Sequence, residues 1–353
     1  MGAAAPATAR GSSRALDEAI RLVPAAWFRA SPIVYWCDLA ASATVGWGAF
    51  AAAVGTSGAW RVAFLTVATA SLYRAVLFIH EITHRAARDV PMFKLVWNAI
   101  IGVPLLIPSF LYEGVHTDHH RQRCYGTDAD PEYMPYGRRR PIAIIVSLLL
   151  APLAPLAFAL RFGVLAPLSW IVPPLGRFTR ERASALAINA QYVRRTPFAS
   201  GARLQEAAAC ALVWSAAWLW RTGRVSTALI ACWAIAAAAA SLVNAIRTLA
   251  AHRYDNDAGE LTMVEQLLDS YTIAPRRPAL AIAADLGRVI VAPVGLRYHA
   301  LHHWIPSLPY HNLGRAHRLL VGAIARDAPY RSTIAPGFAP AIRDLVRRSR
   351  TQS

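Results

Sequence analysis

The chain has 353 residues; 56% are hydrophobic and only 16% charged, yet the formal net charge is +17. A soluble domain carries roughly 25% charged residues, and a disordered chain cannot hold this much apolar content. Four scattered cysteines (Cys37, Cys124, Cys210 and Cys232) exclude a disulfide scaffold, which leaves a membrane protein with strongly basic polar parts.

Residues 1–30 form a basic cytoplasmic N-terminal segment, and no apolar core of signal-peptide type precedes residue 31. A helix needs about 20 apolar residues to cross a bilayer. The first spans predicted are 31–54 and 60–79, a hairpin joined through Gly55 and Gly58, with Asp38 near an interface and Arg74 in the last turns. A second hairpin is predicted at 206–221 and 225–247, turning at Arg221–Arg224. Two apolar stretches are ambiguous. Residues 92–112 carry Gly102, Pro104 and Pro108, and residues 141–175 have the length of a hairpin with Arg161 and Gly163 at its tip. Segments broken in this way suit re-entrant or interfacial helices as well as full spans. The expected fold is therefore an all-α integral membrane protein with four, and up to six, transmembrane helices.

Lys94 is the only lysine, and the arginines lie between apolar runs rather than in one block. That distribution fits positive-inside topology better than nucleic acid binding, so no nucleic acid partner is expected. With both termini cytoplasmic and the hairpin tips outside, only Arg61, Arg161, Arg221 and Arg224 fall on the outer side.

This topology puts all eleven histidines on the cytoplasmic face. HEITH (80–84) sets His80 and His84 four apart. HTDHH (116–120) sets His116, His119 and His120 at i, i+3 and i+4, and HALHH (299–303) repeats that spacing with His299, His302 and His303. His252 stands alone beyond a span. Residues so spaced on a helix share one face, and imidazole is the commonest side-chain metal ligand. A lone HExxH would read as a zinc protease, but such a site needs only about three protein ligands and has no use for two further clusters. A non-enzymatic metal-handling protein would need polar residues within its spans to form a path, and these spans are nearly free of them.

The order HxxxH, HxxHH, HxxHH between these apolar runs resembles the membrane fatty acid desaturase family, over about residues 31–325. YGTDADPEY (125–133), RTLAAHRYDND (247–257), EQLLD (265–269) and HHWIPSLPYHNLGRAH (302–317) resemble bacterial members. The resemblance implies a desaturase-like membrane domain over 31–325, followed by a basic cytoplasmic tail over 326–353. It implies a non-heme centre of two iron ions held by His80, His84, His116, His119, His120, His299, His302 and His303, with His252 as a ninth ligand. His311, His317, Glu81, Asp118, Asp255 and Asp269 are candidates to support those ligands. Trp97, Tyr112 and Trp304 are candidates to line an acyl channel or to anchor at the interface.

An alkyl C–H bond offers side-chain acids and bases nothing to act on, whereas a redox metal with O2 can attack it. The implied enzyme is an O2-dependent oxidoreductase of the bacterial inner membrane, with its metal site on the cytoplasmic face. It would introduce a double bond into a fatty acyl chain of a lipid or thioester; hydroxylation on the same scaffold is the alternative. No dinucleotide fingerprint, cysteine cluster or HPGG segment is present, and the third box begins with His299 rather than Gln. A separate donor such as ferredoxin with its reductase is therefore expected.

Overall fold

A computed structural model describes residues 15–256, 259–274 and 282–351. The first fourteen residues of the N-terminal segment and the last two of the basic tail lie outside them. The main elements, in chain order, are α1 (Pro32–Gly55), α2 (Gly58–His84), α3 (Phe93–Gly102), α4 (Val115–His120), α5 (Ile142–Ile171), α6 (Pro173–Arg182), α7 (Ala202–Arg221), α8 (Thr227–Leu249) and α9 (Met263–Asp269). There follow β1 (Thr272–Ile273), α10 (His299–Trp304), α11 (Tyr310–Ala323), β2 (Ile334–Ala335) and α12 (Phe338–Thr351). The protein is an all-α membrane protein, and its two short strands pair in parallel.

Two compact units emerge. One comprises Ser31–Asp118 and Ile145–Ala245; the other comprises His119–Ile144 and Ile246–Ser353 with the N-terminal segment. In the first, α1 and α2 form the expected hairpin. It is tight because Gly46 faces Leu72: a Cβ on Gly46 would sit 2.7 Å from Leu72 Cδ2. Asp38, an ion in an apolar helix, is met by Arg74, whose Nε donates to Asp38 Oδ1 at 2.8 Å. Buried charges persist only when so paired.

Among the described residues, four helices are long and apolar enough to cross a membrane, namely α1, α2, α5 and α8. The number agrees with the sequence reading, but the set does not. Residues 206–221 lie in α7, a 20-residue helix whose uncharged run stops at Glu206 on one side and Arg221 on the other. Residues 141–175, ambiguous in sequence between a hairpin tipped by Arg161 and other broken segments, contain the single 30-residue helix α5. The breakers are absorbed locally: Pro152 and Pro155 lie at the starts of a 3-10 turn and the following α segment, and Pro167 follows a π turn at Arg161–Leu165. These changes of pitch accommodate the missing N–H groups without reversing the chain. Arg161 is therefore buried inside the unit and is not in an outer loop.

In the other unit, α12 lays Ala341 against Tyr271 and Ile273. Its polar side ties down the loop after His252: Arg348 pairs with Asp255, and Tyr271 OH donates to Asp344 at 2.7 Å.

Candidate metal centre

Box one ends α2, and box two forms most of α4. Within the first unit His80, His84 and His116 converge, with ring centroids 4.6–4.9 Å apart. Tyr112 stacks on His116 at 4.9 Å, and its hydroxyl bonds to His116 Nδ1 at 2.9 Å. Glu81, which shares the turn, approaches His80 Nδ1 at 3.6 Å and accepts a hydrogen bond from Tyr35 OH.

The second unit gathers His119, His252, His299 and His303, whose ligand atoms lie within 4.8 Å of one another. His299 Nε2 is 2.8 Å from His252 Nε2 and 3.1 Å from His303 Nε2. Box three forms α10, so His299 and His303 meet one turn apart. His302 is turned to a different partner: its Nε2 is 3.0 Å from that of His120.

Two members of this group, His119 and His252, have their outward nitrogen fixed. The Asp130 carboxylate takes the proton of His119 Nδ1 at 2.9 Å and is itself held by the backbone N–H groups of Gly126 and Glu132. This leaves Nε2 of His119 as the ligand atom. Burial favours a neutral ring, but the charge and hydrogen bond of Asp130, with the charges of Glu132 and Asp269, together raise the His119 pKa. For His252 the anion acts through a phenol. Tyr125 OH donates to Asp269 at 2.9 Å and so accepts from His252 Nδ1 at 2.8 Å, while Tyr133 OH holds the other Asp269 oxygen at 3.1 Å. Burial, with Asp269 beside it, raises the Tyr125 pKa and keeps the phenol protonated. His303 is pushed far down by burial and by the neighbouring imidazoles, so it stands neutral, as a metal ligand must.

The donor set fits a transition metal. It is all imidazole, and the four cysteines lie outside both groups; such sites suit iron, zinc, copper or nickel.

The structure sorts the supporting residues proposed from sequence. Glu81 and Asp269 lie beside His80 and His252. Asp118 accepts instead from Tyr192 OH at 2.8 Å and Thr196 Oγ1 at 2.9 Å. Asp255 pairs with Arg348. His317 bonds to Tyr330 OH at 2.7 Å, and burial, followed by Arg297 and Arg318, lowers it to about 4. His311 packs edge-on against Tyr310. Neither of the last two belongs to a metal group. Trp97 is fully buried and donates to Ala75 O, and Trp304 packs on Tyr330, so neither is an interfacial anchor.

Sequence reasoning missed Asp130, Tyr125 and Tyr133, all within the stretch YGTDADPEY. It also missed a strap over residues 183–198 that grips the run leading into box two. Arg194 donates to the carbonyls of Phe110 and Ser184 at 2.7 Å and of Glu113 at 2.8 Å. Burial lowers its guanidinium to about 10, against the opposing pull of Tyr192, Asp118 and Glu113. Gly114, at φ +79°, lets Thr196 come close; a Cβ there would lie 2.6 Å from Thr196 Cγ2. Arg194→Ala should cost about 3 kcal/mol or more, since each buried carbonyl left without a donor costs about 1–3 kcal/mol. Thermal unfolding in detergent, with iron content measured in parallel, checks this; an unchanged midpoint would count against the strap.

Helices long and apolar enough to span a membrane, together with clustered imidazoles that could hold a metal, define a membrane protein of histidine-box type. The profile of the family described as fatty acid desaturase matches residues 58–334, and the chain belongs to that family. It is similar to a ceramide hydroxylase of Caulobacter vibrioides (strain NA1000 / CB15N), with 41% identity over 329 residues, covering 91% of this chain and 90% of that protein. No solved structure matches the chain. The family makes the protein an oxidoreductase of the desaturase and hydroxylase type, acting in a membrane on acyl chains with O2.

Proposed function

We propose that the protein is an O2-dependent diiron hydroxylase acting on ceramide. Its nine ligands would be His80, His84, His116, His119, His120, His252, His299, His302 and His303, with one iron in the group of His119, His252, His299 and His303. The observation that carries the metal reading is the convergence of those four buried imidazoles, each from a separate sequence motif or from its own turn of α10. Hydroxylation is favoured over desaturation by the extent of the likeness to a ceramide hydroxylase.

Iron with O2 would supply the oxidising power to break an unactivated C–H bond. Hydroxylation takes one O2, two electrons and two protons and yields one hydroxyl and one water; desaturation of the same substrate yields two waters. The electrons would come from a separate ferredoxin-type donor with its reductase. The chain's own residues hold His119 and His252 in one tautomer and keep the site buried. The inner membrane, with the boxes on the cytoplasmic face, is the expected setting.

Mass spectrometry of lipids from cells expressing the protein is the test. Ceramide heavier by about 16 mass units supports the reading, the increment of one oxygen gained under this chemistry. Ceramide lighter by two hydrogens would return it to desaturation, and a change confined to other lipids would overturn the substrate.

A further inference from the structure

Arg161 is the only charged residue among residues 142–171, yet that segment is the most apolar of the four candidate spans. A π turn begins at it. Such turns often mark functional sites, and an ionisable residue in an apolar membrane segment calls for a functional explanation. The side chain is 6% exposed. Its Nε donates to Ala183 O at 2.9 Å, and its Nη2 donates to Ser184 Oγ at 2.8 Å and Glu206 Oε1 at 2.6 Å. Trp170, more than half exposed, donates from Nε1 to the other Glu206 oxygen at 3.2 Å.

Among the described residues, two polar atoms of this cluster have no hydrogen-bond partner. One is Arg161 Nη1, and the other is Thr179 Oγ1, on a residue 3% exposed. They belong to one cluster because Ser184 joins them: it accepts from Arg161 and donates to Thr179 O at 2.7 Å. The surroundings are apolar, with Phe162 under the guanidinium at 4.5 Å and Leu106, Phe110 and Ala202 in the same packed cluster.

We propose that Arg161 Nη1 and Thr179 Oγ1 form the binding site for the uncharged amide and hydroxyl headgroup of a ceramide-type lipid. The inference rests on the ceramide reading above. The charge balance selects the ligand. Glu206 already neutralises Arg161, so a phosphate would meet the carboxylate without an unmatched cation. An amide carbonyl matches the guanidinium N–H, and a lipid hydroxyl can donate to Thr179. Trp170, an exposed aromatic beside the pair, suits the interfacial depth at which such a headgroup lies.

Thr179→Val and the double variant Arg161→Met/Glu206→Met test the site. The second removes both charges together and so strands neither. The full-length protein in detergent is assayed with short-chain ceramide, and ceramide binding to iron-free protein is followed by native mass spectrometry. Thr179→Val should raise the ceramide KM and weaken binding about fivefold, the scale of one hydrogen bond, without changing iron content; the double variant should lose more. Phosphatidic acid of equal chain length should compete poorly. Unchanged binding in Thr179→Val would mean that water alone fills the site and would overturn the proposal, as would equal competition by phosphatidic acid or failure of wild type to bind ceramide. Wild type that binds ceramide through these residues but does not oxidise it would keep the site and refute the hydroxylase reading instead.

Discussion

His119→Ala should abolish product while leaving the protein in the membrane fraction. His119 is fully buried and packs against four other imidazoles, those of His120, His252, His299 and His303, with centroids at 4.9–6.4 Å. Its removal takes one of four nitrogens from that group and leaves the Asp130 carboxylate buried without its imidazole. Insertion depends on α1, α2 and the other apolar helices, none of which contains residue 119. The expected result is a loss of turnover of about a hundredfold or more, beyond the 10–100-fold typical for losing a group that only supports a ligand. Product is measured by lipid mass spectrometry and iron by elemental analysis. Normal iron content together with normal turnover would refute the assignment of this group.

Asp130→Asn separates orientation from ligation. The side chain keeps its size, and one oxygen can still accept from His119 Nδ1, but the largest of the charges that raise the His119 pKa is gone. Iron affinity should fall about 10–100-fold; the N–H of Glu132 keeps its acceptor with the retained oxygen, while that of Gly126 loses its own, at a cost to stability of about 1–3 kcal/mol. Asp255→Asn is the matched control. It alters a carboxylate of the same unit that pairs with Arg348, so iron affinity should hold while α12 loosens. Competition for iron against a chelator of known strength, run on all three proteins, checks the pair. Equal losses in both variants would show that any acidic substitution in this unit disturbs the metal.

The histidines were legible because helical spacing puts i, i+3 and i+4 on one face, a local property that sequence states directly. His252 was placed by its position beyond a span, and it joins the four-histidine group. The carboxylates were less legible. Asp130 and Asp255 both lie near a box or a candidate ligand, and only the chain path decides that one meets His119 and the other meets an arginine 93 residues away. Asp118 sits inside box two yet serves the strap, because helix geometry turns it away from the face its histidine neighbours use. Residues 142–171 were misread for another reason. Gly163 and Pro167 look like a turn when a helix is assumed to keep one pitch, and a π turn removes that assumption. Apolar content likewise could not tell a loop-tip arginine from a buried one satisfied by Glu206.

The four-histidine group draws one member from box two, one from the stretch after α8 and two from box three. A ribosome making this chain delivers His119 early, but the site lacks half its ligands until residue 303 has emerged. By then every span is in the bilayer and the last large apolar helix is finished. Iron capture by this group would thus be tied to the end of synthesis, and a chain truncated before residue 299 would carry an apolar body without this group. Metal loading of this group would then be a readout of completion.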